Sequence, residues 1–526
     1  MSKRDRPVIL IIAILFAGAL IFGLGPIIGA FTEILTRDAS KQNDRTESVE
    51  GNLVHRKTLK VLGDTFSGYS TFRSSEFQAA LQEIGLTLIY QNEFDQEQRA
   101  DLLNQGKADV LLTSLDQFIK QQPQGKIIGL LDRTVGADAV VLNTQKYPQL
   151  KSLLDLSKLV KEARDRGGKL TLTYAGDTPS EYLALVLSTK FDNFNLSDFE
   201  IKSVVDASEA WELLQDPNQN VAVSVLWEPF VTQARNQGYT VVLSSQDAPK
   251  AIVDVIVASD NIIESQPDKI SDLLEAYYRR IDANVGEPLQ LLNQIAEDGN
   301  LSEQEATAIL EGIDFFNSLA AKEWMTEGTL ETRISSTAAV LVLSGKLSDL
   351  PANANQLYNS KFITKPAANT ATLMSLVRAE NPELAEKLSG KEMIMDSLNS
   401  VTLNPVKTGA DIGNLRVRGE VKFTVGSSDL NSESQQTIMN LAQELREFNP
   451  QTVAVRIIGH TSKGGPAEMN QKLSEQRAQS VVNYLRSLGI KHQLVAEGKG
   501  FDFPLSGIEP EDPRQQRTEI RLVRIN

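Results

Sequence analysis

Three strand-like runs end in clusters of small hydroxyl and glycine residues that could hold a small solute. Leu59–Leu62 leads into Gly63-Asp64-Thr65-Phe66-Ser67-Gly68-Tyr69, and Val110–Leu112 leads into Thr113-Ser114. Leu170–Tyr174 leads into Ala175-Gly176-Asp177-Thr178-Pro179-Ser180-Glu181. In the last of these, Thr178 reads as a helix N-cap, Pro179 as the first helical residue and Glu181 as the second half of a capping box. Backbone N–H groups and the dipole at such helix starts favour an anion, and Ser and Thr hydroxyls add donors without filling the space. In open α/β sheets ligands sit beyond the carboxyl ends of the strands, where these clusters fall. Covalent chemistry has little to work with. Cysteine is absent and the three histidines, His55, His460 and His492, are far apart in sequence. Thiol nucleophiles, cysteine-ligated metals and local HxxxH zinc pairs are thereby excluded. No P-loop, GxSxG or HExxH pattern occurs. The expectation is a binding protein rather than an enzyme, with no cofactor and no metal.

The elements that would position these groups alternate between strand and helix from Thr58 to about Thr364. Strand-like runs include Ala139–Leu142 and Val221–Val223; residues 268–283 place Ile270, Leu273, Leu274, Tyr277 and Ile281 on one helical stripe. Alternation of this kind predicts an α/β domain with largely parallel sheets, and its length predicts two lobes rather than one core. Residues 7–31 carry no ionisable side chain and exceed the roughly 20 apolar residues needed to cross a bilayer. Lys3, Arg4 and Arg6 precede them, and positive flanks stay cytoplasmic. This predicts a single-pass inner-membrane anchor with a cytoplasmic N-terminus and everything after it in the periplasm. Residues 32–57 read as a polar stalk, and 365–414 as a second linker punctuated by Pro366, Pro382 and Pro405, with one or two short helices around Leu373–Val377 and Leu384–Leu388. Residues 415–526 read as a further compact α/β unit. With 53 basic against 68 acidic residues, the net charge of −15 leaves no electrostatic footprint for nucleic acid.

Taken together, several segments of 58–364 resemble periplasmic solute-binding proteins of the nitrate, sulfonate and taurine uptake type. The segments are Ser67-Gly68-Tyr69, Gly106-Lys107-Ala108-Asp109-Val110 before Thr113-Ser114, Leu170–Pro179, and Val223-Ser224-Val225-Leu226-Trp227-Glu228-Pro229-Phe230. The resemblance implies two α/β lobes hinged around a small solute, an anion, sulfonate or similar. Ser67, Tyr69, Thr113, Ser114, Thr178 and Trp227 are its expected lining, with Trp227 and Tyr69 against any apolar part. Glu228 would repel a simple anion and suits an ammonium group; it could equally fix the turn before Pro229.

Residues 415–526 resemble the OmpA-like peptidoglycan-binding domain, through Ile458-Gly459-His460-Thr461, then Asn470, Leu473-Ser474 and Arg477-Ala478, then Val482, Tyr484-Leu485 and Gly489-Ile490. The resemblance implies a βαβαβ-type fold that holds the diaminopimelate residue of the wall peptide non-covalently. Thr461, Ser462, Asn470 and Arg477 are the expected contacts, with Arg477 as the base that grips a carboxylate. Two positions depart from the family. Its acid after His-Thr is Ser462 here, and one of the arginines before the last strand is Gln516. A charge-assisted hydrogen bond contributes roughly 1.5–3 kcal/mol, so the departures weaken the expected grip on a ligand ammonium.

The combined expectation is a membrane-anchored envelope protein that binds a small solute and attaches to or senses peptidoglycan, alongside an ABC permease or a sensor. The alternatives are a wall scaffold with a vestigial clamp, a stator-like ion device and an enzyme built on the clamp fold. The anchor's lack of an acidic residue speaks against the stator.

Overall fold

The computed structural model describes residues 57–390, 409–423 and 426–525. The expected anchor at 7–31 lies outside the described residues, as does nearly all of the stalk. Among the described residues no helix is long and apolar enough to cross a membrane.

The chain builds one lobe, crosses to a second and returns. Strands β1 (Lys57–Gly63), β2 (Leu86–Asn92), β3 (Val110–Ser114) and β4 (Gly125–Thr134) begin the first lobe. The second holds β5 (Asp138–Leu142), β6 (Leu170–Ala175), β7 (Phe199–Val204), β8 (Val221–Trp227) and β9 (Thr240–Ser244). The return supplies β10 (Val253–Ser259) and β11 (Ile313–Phe315). Sheet orders are β11-β4-β10-β3-β1-β2 and β7-β6-β8-β5-β9. The sheets are mixed rather than largely parallel. β1 runs parallel to β2 and β3, but β10 is antiparallel to both β3 and β4, and β5 to both β8 and β9. The cause is the double crossing, since β5 and β10 each enter a lobe from the hinge, against the direction of their neighbours. β3, β5 and β10 are buried along their whole length, as central strands covered on both faces must be.

The helix Pro179–Lys190 joins the lobes. Tyr182, Leu185 and Val186 enter the first lobe's core, while Leu183, Ala184 and Leu187 enter the second's. Tyr182 Oη donates to Thr337 Oγ1 at 3.3 Å, on the helix Thr329–Leu343. Ion pairs Lys120–Asp177 and Lys346–Glu181 also span the two lobes.

The second connector carries the short helices expected around Leu373–Val377 and Leu384–Leu388, longer than expected in the first case. Residues 364–388 form the helices Thr364–Val377 and Pro382–Leu388, docked on the first lobe. Thr370 Oγ1 lies 2.6 Å from Ser318 Oγ and donates to the buried Asp282 carboxylate, while Asn317 Nδ2 donates to Leu388 O at 2.8 Å. Val377, Ala385 and Leu388 bury themselves with Val285.

The C-terminal unit contains β12 (Asp411–Leu415), β13 (Val453–Gly459), β14 (Leu494–Gly498) and β15 (Thr518–Arg524), in the order β12-β15-β13-β14. Helices Ser432–Leu445 and Ala467–Ser487 back this sheet. Its edge strand begins earlier than expected, at Asp411, and pairs with β15. Phe423 and Leu430 form an isolated antiparallel bridge before the first of these helices. Gly459 and Gly498 bring two strand ends against the second helix, where a β-carbon would collide with the backbone of Ser474 and Glu475.

This unit is docked on the second lobe. Leu415 bridges Phe191, with Arg416 N donating to Lys190 O at 2.7 Å and Asp192 N to Asn414 O at 3.0 Å. Phe448 packs edge-on against Phe191 at 6.2 Å. Ion pairs Lys190–Glu444 and Arg524–Asp247 flank it, and Arg333 from the 329–343 helix reaches Glu447 at 2.5 Å. One hydrophobic core runs continuously from Leu142 and Leu172 through Phe191 to Leu445 and Val455.

Candidate functional site

The expected solute residues divide into those the fold gathers and those it spends on local structure. Tyr69 ends the short turn Ser67–Tyr69 that follows β1. It is buried, and its hydroxyl donates to Asp254 Oδ1 at 2.6 Å. Ser114, at the end of β3, lies directly opposite Asp254 in the β3–β10 register. Trp227, at the end of β8, lies opposite Asp138 of β5, so the two side chains share a face of the second sheet. Tyr69, Ser114 and Asp254 thus gather at one end of the first sheet, and Trp227 and Asp138 at one end of the second.

The others turn inward on their own elements. Thr113 Oγ1 donates to Gln96 Oε1 at 3.0 Å. Thr178 caps its helix as expected, accepting from Ser180 N at 3.2 Å and donating to Ala175 O. Glu181 accepts from Asp177 N at 2.9 Å. The N–H groups that would have served an anion at this helix start are therefore partly taken by the chain's own oxygens. Glu228 accepts from Thr232 N and Oγ1, both at 2.9 Å, so it fixes the turn into the helix Phe230–Asn236.

The fold adds residues that sequence reasoning did not single out: Asp116, Asp132, Asp138 and Asp254, all buried. Asp132 and Asp254 lie on β4 and β10, Asp138 opens β5, and Asp116 sits in the first turn after β3. A β-carbon on Gly68 would collide with the Asp132 carboxylate, so glycine there admits the acid. Burial pushes Asp116 up to about 6, Asp138 to about 7 and Asp254 to about 8. Burial, and then the Asp254 charge beside it, raises Asp132 well above the carboxylate range. The available signal was a lone acid in an apolar strand run, as in Leu130-Leu131-Asp132 and Val253-Asp254-Val255.

In the C-terminal unit the expected contacts converge. Asn470 and Arg477 are both buried on the 467–487 helix. Asn470 Nδ2 donates to Gly464 O at 2.6 Å, closing the loop after β13. Arg477 Nη1 donates to Gln516 Oε1 at 3.2 Å, and Gln516 Nε2 donates to Ser462 Oγ at 3.2 Å. The two departures from the family thus touch each other and bridge to the retained arginine. Arg477 Nε donates to Ser427 O at 3.1 Å and its guanidinium lies 5.1 Å from the Phe423 ring centre. Among the described residues it has no carboxylate partner, and burial lowers its pKa. Thr461 Oγ1 beside it is buried without a hydrogen-bond partner among the described residues. His460 faces Glu519 at 3.1 Å, a carboxylate also held by Arg517 and Arg521.

Residues 422–518 match the OmpA family. Outer membrane protein A of Shimwellia blattae is 37% identical over 105 residues, 20% of this chain and 44% of the relative. That of Serratia marcescens is 41% identical over 85 residues, 16% of this chain and 24% of the relative. The chain thus spans less than half the length of these curated relatives. Among solved structures, the periplasmic aliphatic sulphonate binding protein SsuA from Escherichia coli is similar over 57% of this chain and 97% of its own, at 14% identity and a TM-score of 0.44. The desulfurization enzyme DszB is similar over 60% and 99%, at 11% identity and a TM-score of 0.42.

Proposed function

We propose that this is a cell-envelope protein with two grips in one body, a hinged clamp for a small solute and an OmpA-family domain for peptidoglycan. The observation that supports this most is the shared core, which joins the clamp's second lobe to the OmpA-family domain through Phe191, Phe448 and Leu415. An apolar span at 7–31 anchors the chain in the inner membrane with the N-terminus cytoplasmic. The body then stands in the periplasm, where wall attachment holds the clamp beside an ABC permease or a sensor and raises its effective concentration there. The protein works by binding, not catalysis. In the wall site Arg477 takes a carboxylate of the wall peptide, and Ser462 and Gln516 offer neutral hydrogen bonds where a charged grip is expected.

A second reading, a wall scaffold with a vestigial clamp, draws on the inward hydrogen bonds of Thr113, Thr178 and Glu228. The full chain in detergent tests both. Co-sedimentation with sacculi that Arg477→Ala abolishes supports the wall grip, and binding that survives Arg477→Ala overturns that site. A solute that raises the melting temperature, as any ligand of the native state must, selects the clamp over the scaffold.

A further inference from the structure

Among the described residues, buried acids gather where the chain passes between the two lobes. Asp132 lies near the end of β4 and Asp254 near the start of β10, the two first-lobe strands that run to and from the second lobe, and Asp138 begins β5 in the second lobe. Their exposures are 0%, 3% and 4%. Apart from the neighbouring Asp254 carboxyl, neither oxygen of Asp132 meets a hydrogen-bond donor among the described residues. The polar group beside it is another acid, Asp254. A buried carboxylate in that state is costly to keep unless something balances it.

The cations nearby are engaged elsewhere. Arg99 is bound to Asp64 at 2.9 Å and to Leu112 O at 2.6 Å, and Arg133 Nε to Asp314 at 2.8 Å. Lys120 and Lys346 are taken by Asp177 and Glu181 across the lobes. Two further acids, Asp116 and Glu228, add to the field around Asp138. Each of these carboxyls, once ionised, repels an anion and attracts a cation. Among the described residues no group of acids and histidines is arranged to hold a metal ion. Trp227, across the register from Asp138, offers a flat apolar surface beside the charge.

We propose that the solute is a small organic cation, an ammonium or guanidinium compound, held by Asp132, Asp138 and Asp254 at the hinge with Trp227 against its carbon skeleton. This rests on the clamp reading above and replaces the anion expected from sequence. In the unliganded chain Asp132 and Asp254 share a proton; the incoming cation takes its place and the proton leaves to solvent.

The test uses the full chain in detergent, with putrescine, spermidine, choline and arginine as cationic probes and methanesulfonate and nitrate as anionic ones. An amine or guanidinium probe is expected to raise the melting temperature. Asp132→Asn then weakens its binding roughly 10- to 100-fold, the loss of one charge-assisted hydrogen bond. Asp138→Asn, on the other lobe, gives the same loss and guards against a variant that misfolds. Calorimetry in buffers of different ionisation enthalpy shows proton release on binding. Stabilisation by methanesulfonate or nitrate and by no cation overturns the cation while leaving the clamp intact. A melting temperature that none of the six probes raises overturns both.

Discussion

Replacing Phe448 by alanine should uncouple the OmpA-family domain from the second lobe. Phe448 follows the 432–445 helix, is 4% exposed, and meets the fully buried Phe191 edge-on at 6.2 Å. Truncating a buried phenylalanine to alanine costs about 3–5 kcal/mol, cavity included. The lost ring pair accounts for about 0.5–1.5 kcal/mol of that. At about 2–4 °C per kcal/mol for a unit of 150–250 residues, the transition that contains the shared core falls by roughly 6–20 °C. Scanning calorimetry of the full chain is the assay. The wild type should melt its second lobe and C-terminal domain together, and the variant should split them into two transitions. Leu376→Ala, at a half-exposed position on the 364–377 helix, serves as the control and should leave both unchanged. A Phe448→Ala chain that melts within about a degree of wild type, in a transition of the same shape, would falsify the shared core.

Ser462→Asp places a carboxylate beside Gln516 and within one hydrogen-bonded link of Arg477, so sacculus binding should tighten about tenfold; unchanged retention would show that this loop does not meet the wall peptide's ammonium. Thr370→Val deletes the hydroxyl between Ser318 and Asp282 and should destabilise the first lobe by about 1–3 kcal/mol in urea unfolding; no change would return 364–377 to the status of a linker. Asp116, Asp138 and Asp254 are raised by burial to about 6, 7 and 8. The folded chain therefore holds their protons more tightly than the unfolded chain, and stability is lost as pH rises through that range. Unliganded protein should melt higher at pH 6 than above pH 8, with a smaller gap in Asp254→Asn; a flat profile would contradict it. His492, lowered by burial to about 4, works in the opposite sense, so stability also falls as pH drops below the ordinary histidine value.

Local pattern disclosed much of this molecule. The Thr178-Pro179 helix start, the stripe from Ile270 to Ile281 and the Asn470–Arg477 face all appear where their spacing put them. Non-local pairing was harder to read. Strand direction depends on how often the chain crosses the hinge, and no short window records that, so β5 looked like a member of a parallel sheet and β10 was not singled out. The short helices after Thr364 were legible, but not their docking, because the burial comes from single side chains such as Thr370 and Leu388, which meet partners far away in sequence. The docking of the C-terminal domain is coded the same way, by isolated residues such as Phe191 and Phe448 at element ends. For the solute site, hydroxyl-rich strand ends drew attention while lone acids inside apolar strands did not. A strand interior is where a charge is least expected, which is also why its presence there carries information.

The last turn of the 432–445 helix and the residues just after it are gripped from two directions. Glu444 is held by Lys190 from the helix that joins the lobes, and Glu447 by Arg333 from the helix that backs the first lobe. The two basic anchors stand on different helices of the two-lobed body, so any movement of the lobe-joining helix against the 329–343 helix must stretch one of these ion pairs.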